Sequence, residues 1–164
     1  MTAQNYENWT APLRQHPQLT QLLLLLNQCL TALTYALYPL LLIHLAYRQD
    51  VRFLRVLLVP AISFILVSIF RDRVNAPRPY EALAICPLIH KTTKGHSFPS
   101  RHVFSITIIA WAYGYIIPLG GGMLTILAVI LAAIRVLGGV HFPRDVIAGL
   151  LIAELSGIIG FVLI

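Results

Sequence analysis

Long apolar runs alternate with short polar segments along the chain, and the lengths of the runs predict its architecture. A helix needs roughly 20 apolar residues to cross a bilayer. The run at residues 19–47 exceeds that length but is too short for two crossings, so it predicts one tilted helix. Later runs predict spans at about 51–70, 101–117, 123–140 and 144–164. The pattern therefore predicts an all-α, polytopic transmembrane helix bundle of about five spans, forming a single membrane-embedded domain over residues 1–164.

The polar segments predict the connections between these spans. Residues 1–18 predict an interfacial helix with Trp9 in the aromatic belt, and they lack the basic start of a cleaved signal peptide. Residues 71–100 are charged and contain four prolines, which predicts a loop region at one membrane face. The stretches "PLGGG" (118–122) and "HFPRD" (141–145) predict tight turns.

Composition supports a membrane protein and narrows the class of ligand. The chain is 58% hydrophobic and 11% charged, whereas soluble domains carry about 25% charged residues. Its formal net charge is +6. In a membrane protein such basic residues face lipid headgroups or bind an anion. We therefore expect the bilayer and an anionic lipid as partners, and no nucleic acid.

Basic residues also predict the orientation. The loop after the first span carries Arg48, Arg52 and Arg55, and the positive-inside rule places it in the cytoplasm. The loop at 71–100 and the turn at 141–145 then both lie on the extracytoplasmic side.

Four arginines are predicted to reach that outer face with few carboxylates to pair them: Arg71, Arg78, Arg101 and Arg135. A charge at membrane depth costs on the order of 2.5–3.5 kcal/mol, so Arg135 in particular needs a partner. A phosphate suits a cluster of guanidinium groups because it can be bound bidentately. The alternative is a basic flank that contacts headgroups, with Arg135 snorkelling towards them.

A histidine and a carboxylate lie beside this cluster at helical spacing. His141 precedes Asp145 by four residues, and Pro143 is a natural first helical residue. Asp145 can then reach back to one ring nitrogen of His141 and leave the other free to attack phosphorus. His102 is available as the acid that protonates the leaving oxygen. We expect a phosphoryl-transfer site that uses no metal and no other cofactor; the alternative for the pair is helix capping.

Three spaced blocks give this region its resemblance to a known family. They read Arg71, six residues, Arg78-Pro79; then Pro99-Ser100-Arg101-His102; then Ile134-Arg135, five residues, His141, three residues, Asp145. In order and spacing they resemble the signature of the type-2 phosphatidic acid phosphatases, or lipid phosphate phosphatases, in their integral membrane branch. Three positions differ, since Arg71 replaces a lysine, Arg101 a glycine and Ile134 a serine.

The resemblance implies a role for each residue of the blocks. His141 would form a phosphohistidine, Asp145 would orient it, and His102 would protonate the leaving group. The phosphate would be held by Arg71, Arg78, Arg135 and Ser100. Arg101 has no such role in the family, which has glycine at this position, and we expect its side chain to add a contact to a second phosphate or to a headgroup.

The expected function is therefore hydrolysis of a phosphomonoester or diphosphate of a membrane lipid. Candidate substrates are undecaprenyl diphosphate, phosphatidylglycerol phosphate and phosphatidic acid, in a bacterial enzyme whose site faces outwards. Alternatives are a lipid or anion transporter and a non-catalytic phospholipid-binding relative. Lys91, Lys94 and His96 either steer a headgroup or form a solvated loop.

Overall fold

The computed structural model describes residues 1–163, which form helices joined by irregular segments. The α-helices are α1 (Ala3–Gln15), α2 (Pro17–Tyr47), α3 (Phe53–Val74), α4 (Pro79–Ala82), α5 (Arg101–Ile116), α6 (Pro118–Leu137) and α7 (Pro143–Ile158). A π-helical turn, Ile159–Leu163, continues α7. The all-α prediction is confirmed.

Four helical segments are long and apolar enough to cross a membrane: Pro17–Tyr47, Phe53–Ala82, Pro118–Leu137 and Pro143–Leu163. Large apolar side chains such as Leu25, Ile43, Ile65 and Leu151 are exposed on their outer faces. That pattern fits contact with lipid, because water would oppose so much apolar exposure. The predicted span at 101–117 corresponds to α5, which has only 16 residues, so its crossing stays a prediction.

Helix α5 forms the centre of the bundle. It packs against α2, α3, α6 and α7. Its sequence is apolar on every side, and residues such as Val103, Phe104, Ile106 and Ala112 are fully buried. A helix that is hydrophobic all round is typical of a buried position. The first turn of α5 is thereby fixed within the packed end of the bundle.

The predicted tight turn at "PLGGG" is wrong. Helix α6 begins at Pro118, and the three glycines lie within its first turns rather than before it. A proline is favourable at the first helical position, where no hydrogen bond from its nitrogen is needed. Gly121 faces Gly114 of α5 so closely that an added Cβ would lie 2.4 Å from the Gly114 Cα. The glycines therefore allow close packing of α5 against α6.

Helix α1 packs at the end of the bundle that contains the 71–100 segment. The Tyr6 hydroxyl is buried, donates to the Leu137 carbonyl at 3.1 Å and accepts from the Leu88 N–H at 3.2 Å. Gly139 has a φ of 74° and lies beside the Tyr6 ring, where a Cβ would come within 2.7 Å of the hydroxyl oxygen. Arg14 also donates to the Cys86 carbonyl. The interfacial position of this helix stays a prediction.

The 71–100 segment is ordered by hydrogen bonds rather than by regular structure. Helix α3 ends at Asn75, whose φ of 41° reverses the chain. The Glu81 carboxylate accepts from the N–H groups of Arg78 and Gly95, both at 2.8 Å. The Ser97 N–H donates to the Ala76 carbonyl at 2.9 Å. These bonds tie the two ends of the predicted loop together beside α5.

We predict that Gly121→Ala lowers the melting temperature, because the new methyl group meets the backbone of α5. Overpacking of this kind costs about 1–3 kcal/mol. Gly122→Ala is the matched control, since a Cβ there meets nothing within 4 Å. Thermal melting followed by circular dichroism in detergent measures both variants. Equal melting temperatures for Gly121→Ala and Gly122→Ala would show that the helices do not pack this closely.

Candidate active site

The first turn of α7 joins two separate parts of the chain. Helix α7 begins at Pro143 as predicted. The Asp145 carboxylate oxygen Oδ2 accepts from the Phe142 N–H at 2.9 Å, which caps the helix. The Asp145 carbonyl accepts from the Ser100 N–H at 2.9 Å. The start of α5 is thus bound directly to the start of α7, so that the second and third sequence blocks meet.

His141 lies immediately before this turn and is 1% exposed. Its Nδ1 is 3.7 Å from Asp145 Oδ2, close enough for the carboxylate to stabilise a positive charge on the ring. The direct hydrogen bond expected from the four-residue spacing is not formed; Oδ2 instead accepts from the Ser97 hydroxyl and the Phe142 N–H. Nε2 is buried and has no hydrogen-bond partner among residues 1–163. The arrangement leaves Nε2 as the nitrogen available for reaction.

Ser97 is a site residue that sequence reasoning missed. Its side chain is fully buried. Its hydroxyl donates to Asp145 Oδ2 at 2.5 Å and lies 3.5 Å from His141 Nδ1. It therefore bridges the two residues that the sequence paired directly. The only signal was its place five residues before His102 in "GHSFPSRH".

Burial makes His141 a neutral base at physiological pH. Loss of hydration lowers the pKa of His141 to about 4, with Asp145 opposing the shift and the charges of Arg135 and Arg78 adding to it. A histidine with that pKa is unprotonated at pH 7. The electron pair that a nucleophile needs is then present without prior loss of a proton.

Arg71, Arg78 and Arg135, the three arginines expected to hold the phosphate, are called the cradle here. All three are buried, and each donates a hydrogen bond to an oxygen that carries no full charge. Arg71 donates to the Pro99 carbonyl at 2.9 Å, and Arg78 donates to the carbonyls of Gly95 at 3.0 Å and Val140 at 3.2 Å. The third, Arg135, donates to the Asn27 side chain at 3.0 Å.

None of the three forms an ion pair with a carboxylate of residues 1–163. Arg135 also keeps two buried nitrogens, Nε and Nη2, for which the described residues offer no hydrogen-bond partner. Buried charge without a counter-ion is costly. The cluster therefore requires an anion.

Lys91 joins the cluster from the 71–100 segment. It lines a cavity of about 360 Å³ together with His102 and Arg135. Burial, and to a smaller extent the charges of Arg135 and Arg78, lower the pKa of Lys91 to about 8. The structure thus favours a site contact for Lys91 over the alternative of a solvated loop. Lys94 is exposed, and His96 pairs with Asp72 at 3.2 Å.

The three polar residues of the second block differ in burial and in the cavities that they line. Ser100 is fully buried, and its Oγ has no partner in the described part of the chain. His102 lines the cavity with Lys91 and Arg135 and also a smaller one with Arg101. Arg101 is exposed, and its guanidinium carbon lies 5.7 Å from the centre of the Phe64 ring. Arg101 thus differs from the buried cradle arginines.

The polar groups at this site are mostly cations and imidazoles. Over residues 1–163, no group of three or more His, Cys, Asp or Glu side chains is placed to hold a metal ion. The arrangement can instead bind a phosphate with guanidinium groups and present a neutral imidazole to its phosphorus.

Comparison with known proteins identifies the family. The PAP2 superfamily model matches residues 52–164. The chain belongs to this superfamily, which confirms the resemblance in the three sequence blocks.

The solved structures that are similar to this chain include the following two. One is LpxE from Aquifex aeolicus, at 28% identity and a TM-score of 0.72, with 88% of this chain and 86% of that chain covered. The other is the transmembrane PAP2 type phosphatidylglycerolphosphate phosphatase from Bacillus subtilis, at 26% identity and a TM-score of 0.65, with 88% and 76% covered. No curated protein sequence matches. Together with its four candidate spans, these findings make the chain a multi-pass membrane lipid phosphatase of the PAP2 type.

We predict that Ser97→Ala lowers kcat for phosphate release at least about tenfold, because a hydrogen bond to a charged group contributes about 1.5–3 kcal/mol. KM should change little, since Ser97 bonds Asp145 rather than any cradle arginine. Ser97→Thr should restore most of the rate because it keeps the hydroxyl. Ser156→Ala is the control, since that hydroxyl bonds only within α7. A normal kcat in Ser97→Ala would remove Ser97 from the site.

Proposed function

We propose that the protein hydrolyses a phosphate ester or diphosphate of a membrane lipid through a phosphohistidine at His141. The observation that carries this proposal concerns residues 1–163: their buried arginines have no carboxylate partners there, and they surround a neutral His141 whose Nε2 has no hydrogen-bond partner in the same range. An anion with an electrophilic centre satisfies both features at once. A phosphate group is such an anion.

The reaction proceeds in two displacements. His141 Nε2 attacks phosphorus and the bond to the lipid oxygen breaks. His102, which takes up a proton together with the anionic substrate, donates that proton to the leaving oxygen. Water then attacks the phosphohistidine, His102 accepts its proton, and inorganic phosphate leaves as Nε2 is regenerated. Asp145, held by Ser97 and the Phe142 N–H, keeps the ring oriented and stabilises its positive charge during both steps.

The cradle supplies the charge stabilisation that the transition state needs. Phosphoryl transfer spreads negative charge over the equatorial oxygens, and catalysis consists mainly of positioning and electrostatics. Arg71, Arg78 and Arg135 provide fixed guanidinium groups for those oxygens, and Ser100 Oγ provides a hydroxyl. Because three permanent cations already do this, we propose that hydrolysis proceeds without a metal ion.

A lipid substrate fits the surroundings of the site. The cavities at His102 adjoin an apolar groove of about 280 Å³ between α2 and α3, lined by residues such as Tyr38, Pro39 and Pro60. A hydrocarbon tail can remain in that groove while the headgroup reaches the cradle. The similarity to a phosphatidylglycerolphosphate phosphatase supports phosphatidylglycerol phosphate as a candidate, beside undecaprenyl diphosphate and phosphatidic acid. The basic loop at 48–55 supports a site facing the extracytoplasmic side.

The test is phosphate release from a panel of these lipids by purified protein in detergent, with excess chelator. Wild type should release phosphate at an unchanged rate in chelator, and His141→Ala should fall to background. His44→Ala is the matched control, because His44 is an exposed histidine in the last turn of α2, next to the 48–55 loop, and lines none of the cavities at His102. Loss of wild-type activity in chelator would contradict the metal-free mechanism. Full activity of folded His141→Ala would contradict the assignment of the nucleophile.

A further inference from the structure

Three openings follow one another down the length of α2. The first, the cation cavity, has about 360 Å³ and is lined by Asn27, Thr31 and Tyr35 of this helix. The second, the middle cavity, has about 60 Å³ and shares Thr31 and Tyr35 with the first. The third is the apolar groove, which shares Tyr35 with the middle cavity and extends to Pro39. From residue 27 to residue 39 a helix rises about 18 Å, so the three openings form a row of about that length along α2.

The charged residues and His102 line these three openings in a fixed order along α2. Arg135 and Lys91 line the cation cavity, and His102 lines both that cavity and the middle one. Arg101 lines only the middle cavity. The apolar groove begins directly beyond it, at Phe64 and Ser105. Arg101 therefore lies between the proposed acid His102 and the place for a lipid tail.

Arg101 has no acidic partner in the described part of the chain. Its contact is with the face of Phe64, a residue of α3, and none of the ion pairs in residues 1–163 includes it. Its charge acts instead on Arg71 and Lys91, which repel it. A guanidinium in this position, at the edge of an apolar groove, is stabilised by an anion and binds phosphate in particular.

From this order we infer that Arg101 binds a second phosphate, carried by the leaving group of the substrate. The inference rests on the proposed function and specifies its substrate class. A substrate with its reacting phosphate in the cradle and its tail in the groove must pass His102 and then Arg101. A lipid whose only phosphate is the one transferred leaves Arg101 without an anion. A lipid diphosphate, or a lipid with a phosphodiester next to the reacting phosphate, satisfies it.

The chemical step is balanced for this substrate class. Nε2 of His141 forms a bond to the terminal phosphorus, and the bond from that phosphorus to the oxygen of the leaving group breaks. The proton of His102 goes to that oxygen. The product that leaves is the lipid with its inner phosphate intact, held by Arg101 until it diffuses into the bilayer, and water then releases inorganic phosphate from His141.

The test compares, within each pair, a lipid that carries a second phosphate with one that lacks it; the members of the first pair differ only in that phosphate, and those of the second differ by a glycerol phosphate unit. Undecaprenyl diphosphate is paired with undecaprenyl phosphate, and phosphatidylglycerol phosphate is paired with phosphatidic acid. Arg101→Gln should lower kcat/KM for the doubly phosphorylated member about tenfold or more relative to its partner, as expected for loss of a charge-assisted hydrogen bond. Arg101→Lys should give a smaller change in that ratio, because it keeps the charge and loses the bidentate contact.

The matched control is Arg73→Gln, an exposed arginine at the end of α3 that lines neither cavity. It removes the same charge and should leave the ratio unchanged in both pairs. The ratio is kcat/KM for the lipid with two phosphates divided by kcat/KM for its partner. If Arg101→Gln lowers this ratio in the first pair, Arg101 binds a second phosphate bonded directly to the reacting one. If it lowers the ratio in the second pair, Arg101 binds a phosphate on the far side of a glycerol, and either result supports the inference. An equal effect of Arg101→Gln on both members of both pairs overturns it while the proposed function stands. Release from none of the four lipids by folded wild type overturns both.

Discussion

The hydrogen bonds of Asp145 hold the candidate site together. Its carboxylate caps α7, accepts the Ser97 hydroxyl and faces His141, and its carbonyl accepts the Ser100 N–H at the start of α5. One residue thus joins the end of the 71–100 segment, α5 and the turn after α6. Because the carboxylate is fully buried, its loss would leave two donors, the Ser97 hydroxyl and the Phe142 N–H, unpaired, and each unpaired buried donor costs about 1–3 kcal/mol.

This connection fixes a cationic cluster that no carboxylate side chain of residues 1–163 pairs with. Arg71, Arg78 and Arg135 reach the site from α3, the following segment and α6, and each donates to an oxygen without a full charge. If these arginines served only the stability of the fold, carboxylates would pair with them or apolar residues would replace them. The unpaired charge is better explained as preorganisation, since fixed donors cost no reorganisation when a phosphate reacts.

The membrane setting connects this charge to the choice of substrate. Most large exposed apolar side chains lie on the faces of the candidate spans, which surround α5. The site lies at one end of α5, and the apolar groove leads from it along α2 and α3. A lipid can therefore place its headgroup among arginines while its tail remains in an apolar environment. The small cavity with Arg101 separates these two regions.

Much of this architecture was predictable because it depends on patterns between residues that are close in sequence. Run length gave the helices, and the block spacing brought His141 and Asp145 into one helical turn, with Pro143 starting the helix as expected. The helix start at Pro118 was missed because three glycines read as a turn, and only the facing Gly114 explains them.

Ser97 was missed for a related reason. A serine in a loop has no periodicity, and its importance depends on a partner 48 residues away. The order of the cavities along α2 likewise depends on helix packing that the linear pattern does not contain. Local spacing thus predicts which residues act within one turn, whereas contacts between distant segments require the folded structure.

The central claim is that a neutral, buried His141 becomes covalently phosphorylated. The most direct measurement is to quench turnover of the purified protein with alkali, which preserves phosphohistidine, and to locate the phosphate by mass spectrometry of the peptides. The account predicts an added phosphoryl group on His141 during turnover, lost when substrate is exhausted. Steady turnover with unmodified His141 at every quench time, under conditions in which a reference phosphohistidine survives, would contradict it.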